Sequence, residues 1–163
     1  MFGDTALLQQ TLMQGGMDRL ASPEQARRQA AQLYWQTYLR ARVRRVWQGL
    51  TGRRAHLAGL DEVVGETAVA TRRHLGVHSV PLSQIAGSEG RSRDFDASFR
   101  PLTTHARERW IGIAVARRLG IPLPPVELVQ VGSRYVVRDG NHRISVARSL
   151  GQVEIDAVVT RWA

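Results

Sequence analysis

The 163-residue chain contains no cysteine and no lysine. Without cysteine it has no disulfides, no thiolate metal site and no thiol nucleophile. Without lysine, all 23 basic residues are arginine, so the net charge of +9 reflects composition before it reflects function. Long apolar runs are missing as well. The longest, residues 111–116, falls far short of the roughly 18 residues needed to cross a bilayer, and no membrane partner is expected. The start, Met1-Phe2-Gly3-Asp4, lacks the basic-then-apolar order of a secretion signal, which points to the cytoplasm.

What is present is globular material. With 43% hydrophobic and 23% charged residues, the chain can build one compact domain and an appendage. Its charge is unevenly placed. Residues 19–54 carry nine arginines against Glu24 alone, a local net of +8, whereas 55–163 carry fourteen against eleven acids.

Local signals divide the chain at about residue 76. Ser22-Pro23-Glu24-Gln25 reads as a helix start, with Ser22 and Gln25 forming a capping box and Pro23 at the first helical position. Ala26, Ala30, Leu33, Tyr34 and Thr37, then Leu39, Val43, Val46 and Leu50, extend this helix to about residue 50 as one drifting apolar stripe. A second helix is predicted over 61–75, stopped by Gly76. Residues 77–85 read as a short strand entering a turn at Pro81, and 87–92 as a polar loop. Residues 104–119 again have helical period, closed by Gly120, and Pro122, Pro124 and Pro125 then bar regular structure. Residues 126–131 and 134–138 form a hairpin through Gly132-Ser133. Asp139-Gly140 turns, 142–150 reads as a helix ended by Gly151, and 154–160 is a final strand. If the strands flanking that helix are parallel, the unit is a right-handed crossover. The predicted fold class is α+β, with a basic, mostly helical extension (1–76) before a domain of small mixed sheet and packed helices (77–163).

The turn Asp139-Gly140-Asn141-His142-Arg143 is the strongest functional candidate. A strand that ends in a glycine turn and opens a helix aims free backbone N–H groups at one point, where the helix dipole favours an anion. Gly140 lets a ligand approach the backbone, Asn141 can cap the helix, and His142 and Arg143 place two cationic groups where the dipole prefers acids. That sign conflict vanishes if an anion is bound. On spacing alone, the same residues also fit an ordinary glycine turn with two solvated cations.

Residues 80–163 resemble the ParB/sulfiredoxin superfamily domain. The resemblance is carried in order by Val80-Pro81-Leu82-Ser83-Gln84-Ile85, Gly90-Arg91-Ser92-Arg93-Asp94-Phe95-Asp96, the hairpin into the 139–143 turn, and the helix start Ile144-Ser145-Val146-Ala147-Arg148. It implies that Gly140, Asn141, His142 and Arg143 bind nucleotide phosphate, with Arg91 or Arg93 contributing a second guanidinium. The ligand it implies is ATP, ADP or CTP, with magnesium as a companion. For hydrolysis or phosphate transfer, Asp139, Glu89 and His142 are the candidate catalytic groups. Sulfiredoxin reductase activity is excluded, because Asn141 stands where those enzymes need cysteine. Partition-type relatives follow this domain with a DNA-reading helix-turn-helix, so a sequence ending at Ala163 is not expected to be a complete protein of that type.

Elsewhere, the arginines of the first helix, Arg40, Arg44 and Arg45 among them, are interleaved with Tyr34, Trp35, Tyr38 and Trp47 and could track DNA or RNA independently of sequence. Those aromatics equally suit a core or a second copy of the chain, making the helix an oligomerisation arm. His74 and His78 have the spacing of a helical metal pair but lack a third ligand, so no metal site is assigned. The leading expectation is a bacterial-type nucleotide-binding protein with weak NTPase or phosphotransferase activity. The alternative is a non-catalytic nucleic-acid-binding protein.

Overall fold

A computed structural model describes residues 22–51, 57–60, 71–91 and 93–163. Helix α1 spans Pro23–Thr51. Its start is the expected capping box: Ser22 Oγ accepts from the Gln25 N–H at 3.2 Å, and Gln25 Oε1 accepts from the Ser22 N–H at 3.4 Å. Ala26, Ala30, Tyr34, Thr37 and Ala41 are buried, and the alanines let a second helix, α2 (Arg107–Arg118), approach closely. The expected single stripe is in fact two. At about 100° per residue, Leu39, Val43, Val46 and Leu50 fall on the opposite side of α1 from the packed set. All four are largely exposed, Leu50 at 80%.

Five strands form one mixed sheet in the order β1-β5-β3-β4-β2. They are β1 (Arg72–Pro81), β2 (Ile85–Ser88), β3 (Val126–Val131), β4 (Arg134–Asp139) and β5 (Glu154–Trp162). A short 3-10 turn, Leu82–Gln84, links the first two strands. The β3–β4 hairpin is antiparallel through Gly132, as its sequence signals. β4 and β5 are not neighbours: β3 lies between them, parallel to β5 and antiparallel to β4. The helix after β4 therefore crosses from β4 over β3 to a strand of opposite sense, and the conditional parallel crossover is not formed.

The helix predicted over 61–75 also fails where it can be checked. Arg72 to Leu75 lie in β1, with Arg72 opposite Trp162 on β5. Pairing along a long β5 edge outweighs a local helical period that Gly65 already weakened. Gly76 is a bulge at φ +86°, where the register shifts, and does not end a helix. β1 thus runs through the 76/77 division, and residues 61–70 of that prediction lie outside the described residues.

The third helix, α3 (Asn141–Ser149), is the centre of the molecule. Ile144 and Ala147 face the sheet, packing with Phe95, Phe99, Val126, Leu128 and Val137. Val146 faces the other way, into a cluster of Ala30, Tyr34, Trp110, Ile111 and Ala114 from α1 and α2. Each fully buried large side chain here contributes roughly 1.5–3 kcal/mol. Trp110 buries its indole without orphaning its N–H, which donates to Ser145 Oγ at 2.8 Å. Both α2 and α3 end as their glycines predict. Ile121 N–H reaches Ala116 O and Gly120 N–H reaches Arg117 O, while Gln152 and Gly151 make the same pair of bonds to Ala147 and Arg148.

Candidate functional site

Asp139 stands at the C-terminal end of β4, opposite Glu127 on β3, and Gly140 starts α3 in the left-handed region at φ 102°. A Cβ on Gly140 would lie 2.5 Å from Val126 Cγ1. Glycine is therefore required by the turn and by packing on β3; the missing Cβ faces the core and not a ligand. Asn141 is the first helical residue and does not cap, because Gly140 already holds that position. Ile144 N–H makes the first helical bond, to Gly140 O, so the N–H groups of Asn141, His142 and Arg143 open the helix ahead of it.

The sign conflict at this helix start is settled from within the protein. Arg143 Nη1 donates to the carbonyls of Pro124 at 2.7 Å and Pro125 at 2.8 Å, and its Nη2 donates to Asp139 at 2.5 Å. His142 is buried with its ring edge-on to Phe95, 5.2 Å between centroids. Burial first, then the charges of Arg109 and Arg91, lower its pKa to about 4. At neutral pH the ring is uncharged. The misplaced cations thus do not by themselves call for an anion.

Another feature marks this turn. Asn141 and His142 are only 6% and 8% exposed. Asn141 Oδ1 and both His142 ring nitrogens are buried without a hydrogen-bond partner among the described residues. Orphaned groups of this kind cost about 1–3 kcal/mol each. They border a cavity of about 60 Å³ at the start of α3, walled by Arg91, Arg109 and Ile113 with the 139–143 turn. That volume is about two waters' worth, well below the roughly 300 Å³ of pockets that enclose whole ligands. The space admits one compact polar group, with the remainder of any ligand outside; the neutral His142 ring donates through one nitrogen, whereas its other nitrogen and Asn141 Oδ1 accept.

The structure gathers Gly140, Asn141, His142, Arg143, Asp139 and Arg91 at this cavity, but not all the expected residues. Arg91 is held by Asp94 at 3.4 Å. Arg93 is exposed and is not part of the lining. Glu89 is drawn to Arg138, whose Nε donates to it at 3.1 Å, and it also lies outside the lining. Asp139, the sole carboxylate among the described lining residues, is committed to Arg143. Arg109 was not anticipated: in a lysine-free chain an arginine on a helix gives no signal of its own. Arg40, Arg44 and Arg45 are exposed on α1 and belong to a different surface.

His74 and His78 sit on β1, where four residues span roughly 13 Å, so the helical spacing of a metal pair does not apply. His78 Nε2 lies 3.0 Å from Leu75 O instead. Among the described residues no group of three metal-binding side chains converges, and no helix is long and apolar enough to cross a membrane.

No protein-family model matches the chain, and no curated protein matches it. Among solved structures, the sulfiredoxin of Arabidopsis thaliana is similar over 51% of this chain and 82% of its own. The identity is 19% and the TM-score 0.39, a weak likeness that concerns the fold alone.

Proposed function

We propose that the start of α3 binds a phosphate group, and that the group belongs to a nucleotide, ATP, ADP or CTP. The observation that supports this reading is the buried, unpartnered ring N–H of His142 beside the open N–H groups of the helix and the arginines Arg91 and Arg109. A phosphate offsets the two arginines and meets the helix dipole with the right sign. Its oxygens accept from backbone N–H groups and from whichever His142 nitrogen carries the proton. Magnesium fits only as a companion of the phosphates, since Asp139 would have to leave Arg143 to ligate it.

The geometry favours binding over hydrolysis. Catalysis through Asp139 or Glu89 requires each to break an arginine contact, and only His142 is at the cavity without such a commitment. A thermal-shift panel of nucleotides with and without magnesium tests the reading, because a ligand raises the melting temperature by mass action. Arg91→Gln with Arg109→Gln should remove the shift while leaving the unliganded melting temperature in place. If no nucleotide at millimolar concentration stabilises the protein, the reading is wrong.

The exposure of Arg40, Arg44 and Arg45 on one helix supports a second reading, sequence-independent contact with DNA or RNA. Reversing all three charges should abolish binding to short oligonucleotides and flatten its salt dependence. Oligomerisation through α1 would instead appear as a mass in solution that falls when Leu39, Val43 and Leu50 are made polar.

A further inference from the structure

At the opposite end of α3 lies a second cavity, of about 270 Å³, between α1, the loop before residue 101 and the end of α3. It shares no lining residue with the turn cavity. Along the axis of a nine-residue helix the two are roughly 12 Å apart.

Three arginines from three elements line this cavity: Arg40 of α1, Arg100 of the loop and Arg148 of α3. Thr37 and Ser98 add hydroxyls, Ser149 Oγ donates to Ser145 O, and among the described residues no acid is in the lining. Asp96, the carboxylate beside Arg100, is engaged: its Oδ1 accepts from the N–H groups of Ser98 and Arg100 at 2.8 and 2.9 Å, and its Oδ2 lies 3.8 Å from Arg100 Nη1. Arg148 Nη2 holds the carbonyls of Leu82 and Ile85, while its Nε is buried without a partner. Arg40 has no hydrogen bond or ion pair among the described residues. The final carbonyls of α3 would repel an anion, but those of Ser145, Val146, Ala147 and Arg148 already accept hydrogen bonds.

Three arginines line one cavity beside one described carboxylate, and although carbonyls hold Arg148 and Asp96 lies near Arg100, an anion between them would relieve the repulsion that remains. Guanidinium presents paired donors that match phosphate oxygens, and the hydroxyls supply further contacts. The volume is near the lower end for small-ligand pockets, which suits a compact ester and not a polymer backbone. We propose that this cavity binds a phosphate-class dianion, either inorganic phosphate or the head group of a small phosphomonoester, separately from the turn site.

Calorimetry at fixed ionic strength tests this with inorganic phosphate and pyrophosphate. Full-length protein carrying Arg91→Gln and Arg109→Gln should still bind at one site per chain, which separates this proposal from the nucleotide reading. Adding Arg40→Gln and Arg100→Gln should weaken that binding about a hundredfold, about tenfold for each charge-assisted contact. If the Arg100 variant does not fold, Arg40→Glu alone reads the same site, since Arg40 is exposed and makes no hydrogen bond or ion pair among the described residues. Arg28→Glu, distant on the same helix, should change nothing. The proposal fails if neither anion binds, if the Arg40 and Arg100 variants bind as before, or if Arg28→Glu weakens binding as much as Arg40→Glu.

Discussion

The two ends of α3 carry the same kind of residue in opposite electrostatic settings. At its start Arg143 opposes the helix dipole, and at its end Arg148 agrees with it. Yet both are held in the same way, by carbonyls from distant segments: Pro124 and Pro125 for Arg143, Leu82 and Ile85 for Arg148. The dipole is worth at most 1–2 kcal/mol, while two charge-assisted bonds to carbonyls exceed that. Tertiary partners therefore decide where an arginine sits, and the dipole only adjusts the cost. The two ends also have paired glycines with positive φ, Gly140 and Gly151, but only the first is hemmed in.

The largest expected effect breaks that second pairing. Gly140→Ala combines a left-handed backbone with a Cβ driven into Val126, and should cost about 3 kcal/mol or more in chemical denaturation. Next comes pH. The folded pKa of His142, about 4, lies below its ordinary 6.5, so between those values the unfolded chain binds more protons and stability falls as pH falls. The loss from this group should reach about 2–3 kcal/mol by pH 4 and be absent in His142→Leu. A stability profile of that variant identical to the native one would assign the acid sensitivity elsewhere. Third, Arg148→Ala should cost about 1–3 kcal/mol and exceed Arg143→Ala. Arg148 also stacks on the Phe99 ring at 4.7 Å, and Asp139, which Arg143 would abandon, can rehydrate at its exposed position. The smallest effect is that of Gly151→Ala, about 1 kcal/mol, because its Cβ meets open space and only the backbone resists. Equal costs at the two glycines would mean that the turn on Val126 relaxes freely.

Features set by near neighbours were legible in the sequence. The capping box at Ser22 and Gln25, the hairpin at Gly132 and the glycine ends of α2 and α3 each involve residues within a turn of one another. The start of β1 was not, because its partner Trp162 is ninety residues downstream in the chain and no local period announces it. The sign conflict that drew attention to the turn does not survive folding. Sequence offered two uncompensated cations; the folded chain neutralises His142 by burial and satisfies Arg143, and the polar atoms left without partners are Asn141 Oδ1 and the His142 nitrogens. Arg109 could not be picked out from twenty-two other arginines.

The Trp110 contact with Ser145 has an optical consequence. Of the four tryptophans, Trp110 is fully buried where α1, α2 and α3 meet, Trp162 is half-buried on β5, and Trp35 and Trp47 are exposed. A small anionic quencher in solution therefore reaches those two and leaves the emission of Trp110. Its neighbour Arg109 and the next-turn residue Ile113 both wall the turn cavity. The light that survives quenching comes chiefly from the place where α1, α2 and α3 hold one another, with a share from the half-buried Trp162 on β5, and the colour of the Trp110 component registers how tightly the helices pack.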